Sequence, residues 1–112
     1  MRKLLVVILA ATALCALAAT ALAATRSVKI GDDYFVRSKG VPTVTVSRNT
    51  TVKWNFMGDS LHNVTVSKGP VKFHSPTKDS GSYRKKLTRR GTYTIYCSIH
   101  GAGDQKMKLV VE

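Results

Sequence analysis

Five stretches of this chain put apolar side chains at every second position, a period that only extended backbone satisfies. Val44 and Val46 share one face of Thr43–Ser47, and Val52, Trp54 and Phe56 share one face of the next run. His62, Val64 and Val66 follow, then Tyr93, Ile95 and Cys97 after Gly91, then Met107, Leu109 and Val111. Threonine fills many of the opposite positions, as a strand with one wet face allows. Arg48-Asn49, Met57-Gly58-Asp59-Ser60, Gly69-Pro70 and Arg89-Arg90-Gly91 punctuate the runs as turns and loops, and Ser75–Ser82 reads as a longer polar connection. Outside the first residues no window carries a helical stripe. The pattern predicts an all-β fold, a Greek-key sandwich of about seven to eight short strands. At 112 residues there is room for one such domain.

Residues 1–23 stand apart. Met1-Arg2-Lys3 is a short basic start, and an uncharged Leu/Val/Ala-rich stretch runs on to Thr25. Ala21-Leu22-Ala23 has the small-x-small form of a signal-peptidase site. The chain therefore reads as an export signal over 1–23 and a folded domain over 24–112. Uncleaved, the same stretch is long enough to tether the domain to a membrane. Cleavage places the domain in the periplasm or outside the cell. It also removes Cys15 and leaves Cys97 alone, in a compartment where a single cysteine needs a use other than an internal disulfide.

Lys and Arg number 18 against 6 Asp and Glu, a formal charge of +12. Arg84, Lys85, Lys86, Arg89 and Arg90 cluster on one run and its turn, and Lys106 and Lys108 take the outward parity of the last run. Such a surface either stays solvated and discourages edge pairing, or steers the protein toward an acidic partner or an anionic envelope surface. An exported chain without aromatics interleaved in its basic run is not expected to bind nucleic acid.

The chemistry gathers in Tyr96-Cys97-Ser98-Ile99-His100 and, well upstream, His62. Cys97 and His62 both take inward parity at run ends. A thiolate with two imidazoles, plus a weak axial ligand, is what a blue-copper centre requires. His74 lies in the polar connection and reads as exposed and non-ligating. Asn49-Thr50-Thr51 and Asn63-Val64-Thr65 match glycosylation sequons, a weak pattern.

Gly91-Thr92-Tyr93-Thr94-Ile95-Tyr96-Cys97-Ser98-Ile99-His100 closely resembles the plastocyanin signature, and Leu61-His62-Asn63-Val64 resembles the segment with that family's first histidine. The chain is thus similar to cupredoxins of the plastocyanin/azurin type. The resemblance implies a cupredoxin-like sandwich holding one type 1 copper ion, with His62, Cys97 and His100 as equatorial ligands. Asn63 would tie its loop to the cysteine loop at Ser98 by hydrogen bonds. Ile99, Gly101 and Ala102 would form a docking patch around the His100 edge, and Tyr96 would mark a second docking position.

The axial ligand departs from the common pattern. Where plastocyanins carry methionine this chain has Gln105, and methionine appears only at Met107. The run from His100 to Met107 resembles the stellacyanin branch of the phytocyanins, where glutamine is axial. Both residues have inward parity. Gln105 at the metal leaves Met107, Leu109 and Val111 as core, whereas Met107 at the metal lengthens the loop by two residues.

Two functions fit. One is a monomeric one-electron carrier cycling between Cu(I) and Cu(II) and docking to a redox protein. The other is an envelope protein that sequesters or delivers copper with the same ligands. Four protein donors with no evident open position or general base argue against an enzyme.

Overall fold

The computed structural model describes residues 24–37 and 40–112; the proposed signal segment, 1–23, lies outside the described residues. Among the described residues there are seven strands: β1 (Thr25–Ile30), β2 (Thr43–Val46), β3 (Thr51–Phe56), β4 (Thr65–Lys68), β5 (Ser82–Lys86), β6 (Gly91–Tyr96) and β7 (Lys106–Val111). They form a three-stranded sheet, β1-β3-β5, and a four-stranded sheet, β2-β7-β6-β4. Two pairings are parallel, β1 with β3 and β2 with β7; the rest are antiparallel. No helix among the described residues is long and apolar enough to cross a membrane.

The alternating side chains meet between the sheets. Val52 and Trp54 of β3, Tyr93 and Ile95 of β6, and Met107, Leu109 and Val111 of β7 are all buried. Each large apolar side chain removed from water contributes about 1.5–3 kcal/mol. Phe73 and Tyr83 flank Trp54, with ring centroids at 6.2 and 5.9 Å. Truncating Trp54 to alanine would cost about 3–5 kcal/mol by the cavity it leaves.

Turn chemistry fixes where the strands begin. Asn49 holds φ at 75° in the β2–β3 turn, a conformation asparagine tolerates better than most residues. Gly91 has φ 141°, and a Cβ there would sit 2.6 Å from Pro70 Cγ, so glycine is required where β6 starts. Two residues on, the Tyr93 hydroxyl donates to the Arg89 carbonyl at 2.8 Å and pins this corner.

Two expectations need correction. The run His62–Val66 is not one strand. His62 exchanges backbone bonds of 2.9 Å with Lys78, and the Ser75 amide donates to Val64. These residues pair with the 74–78 connection, and pairing with β6 begins only at Thr65. Lys85 is not on the outward basic face. Its register partner is Val52, which places it on the core side, and its Nζ lies 5.3 Å from the Phe73 ring centroid.

The topology decides where a site can form. Parallel β1 and β3 both end at the same edge of the sandwich, and antiparallel pairing brings the end of β6 and the start of β7 together. The loops after β1, after β3 and between β6 and β7 are the ones that carry polar chemistry.

Candidate metal centre

The loop between β6 and β7 folds back on itself. The Gly101 amide donates to the Cys97 carbonyl (2.8 Å), the Gln105 amide to the Gly101 carbonyl (3.2 Å), and the Cys97 amide to the Gln105 carbonyl (3.1 Å). This curl sets Cys97 and Gln105 face to face and carries His100 to the mouth. Gly101 sits at its bend with φ 90°.

His62, Cys97 and His100 place their donor atoms within 4.8 Å of one another. Cys97 Sγ is 3.9 Å from His62 Nδ1 and 3.6 Å from His100 Nδ1. Donors bound about 2.0–2.3 Å from one first-row metal ion sit at such separations. His62 and Cys97 are wholly buried, while His100 is half-buried. Among the described residues no other group of three potential ligands converges.

Gln105 completes the fourth side. It is fully buried, and its Oε1 lies 3.0 Å from His62 Nδ1. Both amide protons are committed, since Nε2 donates to the Gly31 carbonyl at 2.8 Å and the Tyr34 carbonyl at 3.0 Å. The amide orientation is thereby fixed, with the oxygen aimed at the donor cluster. On the far side of the ring, His62 Nε2 is 3.2 Å from Asp32 Oδ1. With the ring proton there, Nδ1 presents a lone pair to the lone pairs of Oε1. Two acceptors facing at 3.0 Å need a proton or a metal ion between them, and with Cys97 Sγ and His100 Nδ1 converging on the same point the donor set fits a metal cation. Met107 lies two pairs further along the sheet, opposite Ile95, and is wholly buried in the core.

Asn63 joins the two ligand loops. Its Nδ2 donates to Ser98 Oγ at 2.7 Å, and its Oδ1 accepts from the Ser98 amide at 3.0 Å and from Thr65 Oγ1 at 2.8 Å. Around the mouth, Ile99 is 49% exposed, Ala102 is exposed, and Gly101 and Tyr96 are half-buried. Met57 and Leu61 add exposed apolar surface, at 62% and 52%. His74 is exposed and apart from the cluster.

Asp32 was not singled out by sequence. Its Oδ1 accepts from the Asp59 amide (2.8 Å), the Ser60 amide (3.1 Å) and Ser60 Oγ (3.1 Å), besides facing His62. The His62 ring, and then the two amides, hold its carboxyl at about 2, below the ordinary 3.8, despite an opposing desolvation effect. It is a carboxylate at any ordinary pH. Gly31-Asp32-Asp33-Tyr34 reads locally as a turn, and the contact to His62 crosses two strands. No signal in the sequence marks it.

No family model matches the chain. Among solved structures, it is similar to a methionine-to-glutamine variant of amicyanin in the Cu(I) form. Identity there is 27%, with a TM-score of 0.65 over 79% of this chain and 82% of that one. A methionine-to-alanine variant of amicyanin, also Cu(I), matches at 27% identity and TM-score 0.66 over 85% and 88%. The purple cupredoxin of Nitrosopumilus maritimus shares the fold, at 17% identity and TM-score 0.64 over 78% and 99%. In strand arrangement the chain has the cupredoxin fold, and the His–Cys–His cluster at the end of its sandwich is a donor set that fits one type 1 copper ion.

Proposed function

We propose that the protein is an exported one-electron carrier, with His62, Cys97 and His100 as equatorial copper ligands and Gln105 as the axial one. When bound, copper supplies a one-electron couple between Cu(I) and Cu(II). The carrying observation is the asymmetry of access. His62, Cys97 and Gln105 are wholly buried, and His100 alone of the four reaches the surface. That arrangement offers an electron an edge to cross while giving an ion no open path, and it leaves no free coordination position for a substrate. Release of copper to another protein would require this cage to open, which argues against a delivery role.

The chain's own residues hold the donors still. Asn63 clasps the Cys97–Ser98 backbone, and the paired carbonyls of Gly31 and Tyr34 hold the Gln105 amide. A cage that keeps its shape in both oxidation states lowers the reorganisation that accompanies each transfer.

The partner is a redox protein with an acidic docking surface. Asp33, Asp59 and Asp104 are exposed around the copper end, so the apex itself is not cationic. The cations lie beside it. An open groove of about 580 Å³ is lined by Lys68, Lys106 and Lys108, with Val41, Ser67, Thr94 and Ala102. Lys106 is the direct cross-strand neighbour of Tyr96, so the groove joins the two docking positions. Among the described residues none of the three lysines makes an ion pair. Export rests on the pattern of residues 1–23, with the mature protein in the periplasm or outside the cell.

The test is an absorption spectrum of residues 24–112 after Cu(II) is added, followed by electron self-exchange. An intense visible band, bleached by reductant and restored by oxidant, with rapid self-exchange, supports the carrier. A colourless protein with a reactive Cys97 thiol overturns it. Slow exchange with ready loss of copper to a chelator would favour copper handling.

A further inference from the structure

The two buried histidine and glutamine donors are held from behind by one short loop. Gly31–Tyr34 offers its Asp32 carboxylate to His62 Nε2 at 3.2 Å and its Gly31 and Tyr34 carbonyls to the Gln105 amide at 2.8 and 3.0 Å. We propose that Asp32 is a positioning residue of the copper site, fixing the His62 ring through Nε2–H and strengthening Nδ1 as a donor, so that the couple is weighted toward Cu(II). The inference rests on the copper reading of the site given above.

Several observations converge on Asp32. The loop after β3 is built to receive it: the Asp59 and Ser60 amides and the Ser60 hydroxyl all point at Oδ1. Gly58 leaves room for it, because a Cβ at that position would overlap Asp32 Oδ1. Gly31 does the same for the return of the loop, where a Cβ would overlap the Tyr34 ring. The Asp32 carboxylate oxygen lies 3.2 Å from His62 Nε2, within reach of the Nε2–H of a neutral ring.

The contrast with His100 locates the effect. His100 touches the Cys97 sulfur and the His62 ring, and its outer nitrogen has no hydrogen-bond partner among the described residues. One imidazole is therefore locked and electron-rich, and the other is left as the open edge. A carboxylate on the outer nitrogen of a metal-bound imidazole fixes the tautomer and raises donor strength. The added negative charge close to the metal stabilises the more highly charged oxidation state more than the lower one.

Three variants test this, each loaded with copper. Asp32→Asn should lower Cu(II) affinity about tenfold, with a smaller loss for Cu(I), and so raise the reduction potential. Gly58→Ala keeps every charge but fills the carboxylate's place, and should act in the same direction. Asp33→Asn removes the same charge one residue away without touching His62, and should leave affinity and potential unchanged. In the Cu(I) protein, the His62 Nε2–H proton resonance should move in Asp32→Asn and stay in Asp33→Asn. Wild-type affinity and potential in Asp32→Asn with an unmoved Nε2–H signal would overturn the proposal, as would an equal shift from Asp33→Asn. If Gly58→Ala does not fold, the two aspartate variants decide. If wild-type protein forms no coloured Cu(II) complex, the carrier reading fails on its own, and the same pair of variants measured for Zn(II) affinity decides the role of Asp32.

Discussion

Gln105 lies directly across the sheet from Cys97, with the Cys97 amide donating to the Gln105 carbonyl at 3.1 Å. This places the Gln105 side chain in the layer of the thiolate and Met107 in the layer of Ile95. Replacing Gln105 by methionine should therefore raise the reduction potential, because a thioether favours Cu(II) less than an amide oxygen does. Met107→Leu should leave the potential nearly unchanged and cost less than about 1.5 kcal/mol of stability, as volume-conserving core changes do. Voltammetry on both variants is the check; a large shift in Met107→Leu alone would move the axial assignment.

On the proposed copper reading, Cys97 supplies the thiolate of the visible transition. In Cys97→Ser the hydroxyl is a poor donor to copper, and the intense band should vanish while the sandwich persists. Parallel absorption and far-UV circular dichroism separate loss of the chromophore from loss of the fold. An undiminished band would remove Cys97 from the ligand set.

The lysine groove should govern encounter with an acidic redox protein. Reversing Lys106 and Lys108 to glutamate should slow second-order electron transfer by about tenfold or more at low salt. The wild-type rate should fall as ionic strength rises. Reversing Lys29, which lies outward on the other sheet, should have a much smaller effect, and stopped-flow rates at several salt concentrations distinguish these outcomes.

Tyr93 makes stability sensitive to alkali. Burial pushes its phenol above the ordinary 10, with the Arg89 charge partly opposing. Between that ordinary value and the raised one, the unfolded chain has lost the proton and the folded chain has kept it. The unfolded state then binds fewer protons, so stability is complete below pH 10 and falls as pH rises through the folded value. Tyr93→Phe should flatten this decline and cost about 1 kcal/mol at neutral pH, through loss of the hydrogen bond to Arg89. Denaturant melts at neutral pH and above pH 10 read both effects.

Much of this was written in side-chain parity. Trp54, Tyr93, Ile95 and Leu109 announce their faces because alternation survives whatever partner a strand takes. The convergence of His62 with Cys97 and His100 was legible because parity and run ends place all three at one edge. The strand Thr25–Ile30 was not, since Val28 and Ile30 alone are buried in it and two positions make no period. Its parallel pairing with β3 depends on contacts that no local pattern encodes. Gln105 and Met107 share parity, so spacing from His100 and resemblance favoured Gln105 in the sequence, while register against β6 sets the two in different layers. Lys85 misled for the opposite reason: it sits in a basic triplet, yet its alkyl chain and charge are spent on the Phe73 ring.

The parallel pairing of β7 with β2 has a consequence for when the thiolate cage can exist. β7 is last of the seven strands in chain order, yet it fills the gap between β2 and β6. Until it inserts, the four-stranded sheet is split, Gln105 is absent, and Cys97 lacks the carbonyl its amide donates to. The pocket thus depends on β2 pairing with β7, the pairing most distant in sequence among the named strands. Before β7 is in place His62, Cys97 and His100 lack the buried amide that closes their fourth side, so the complete cage belongs to the finished sandwich alone.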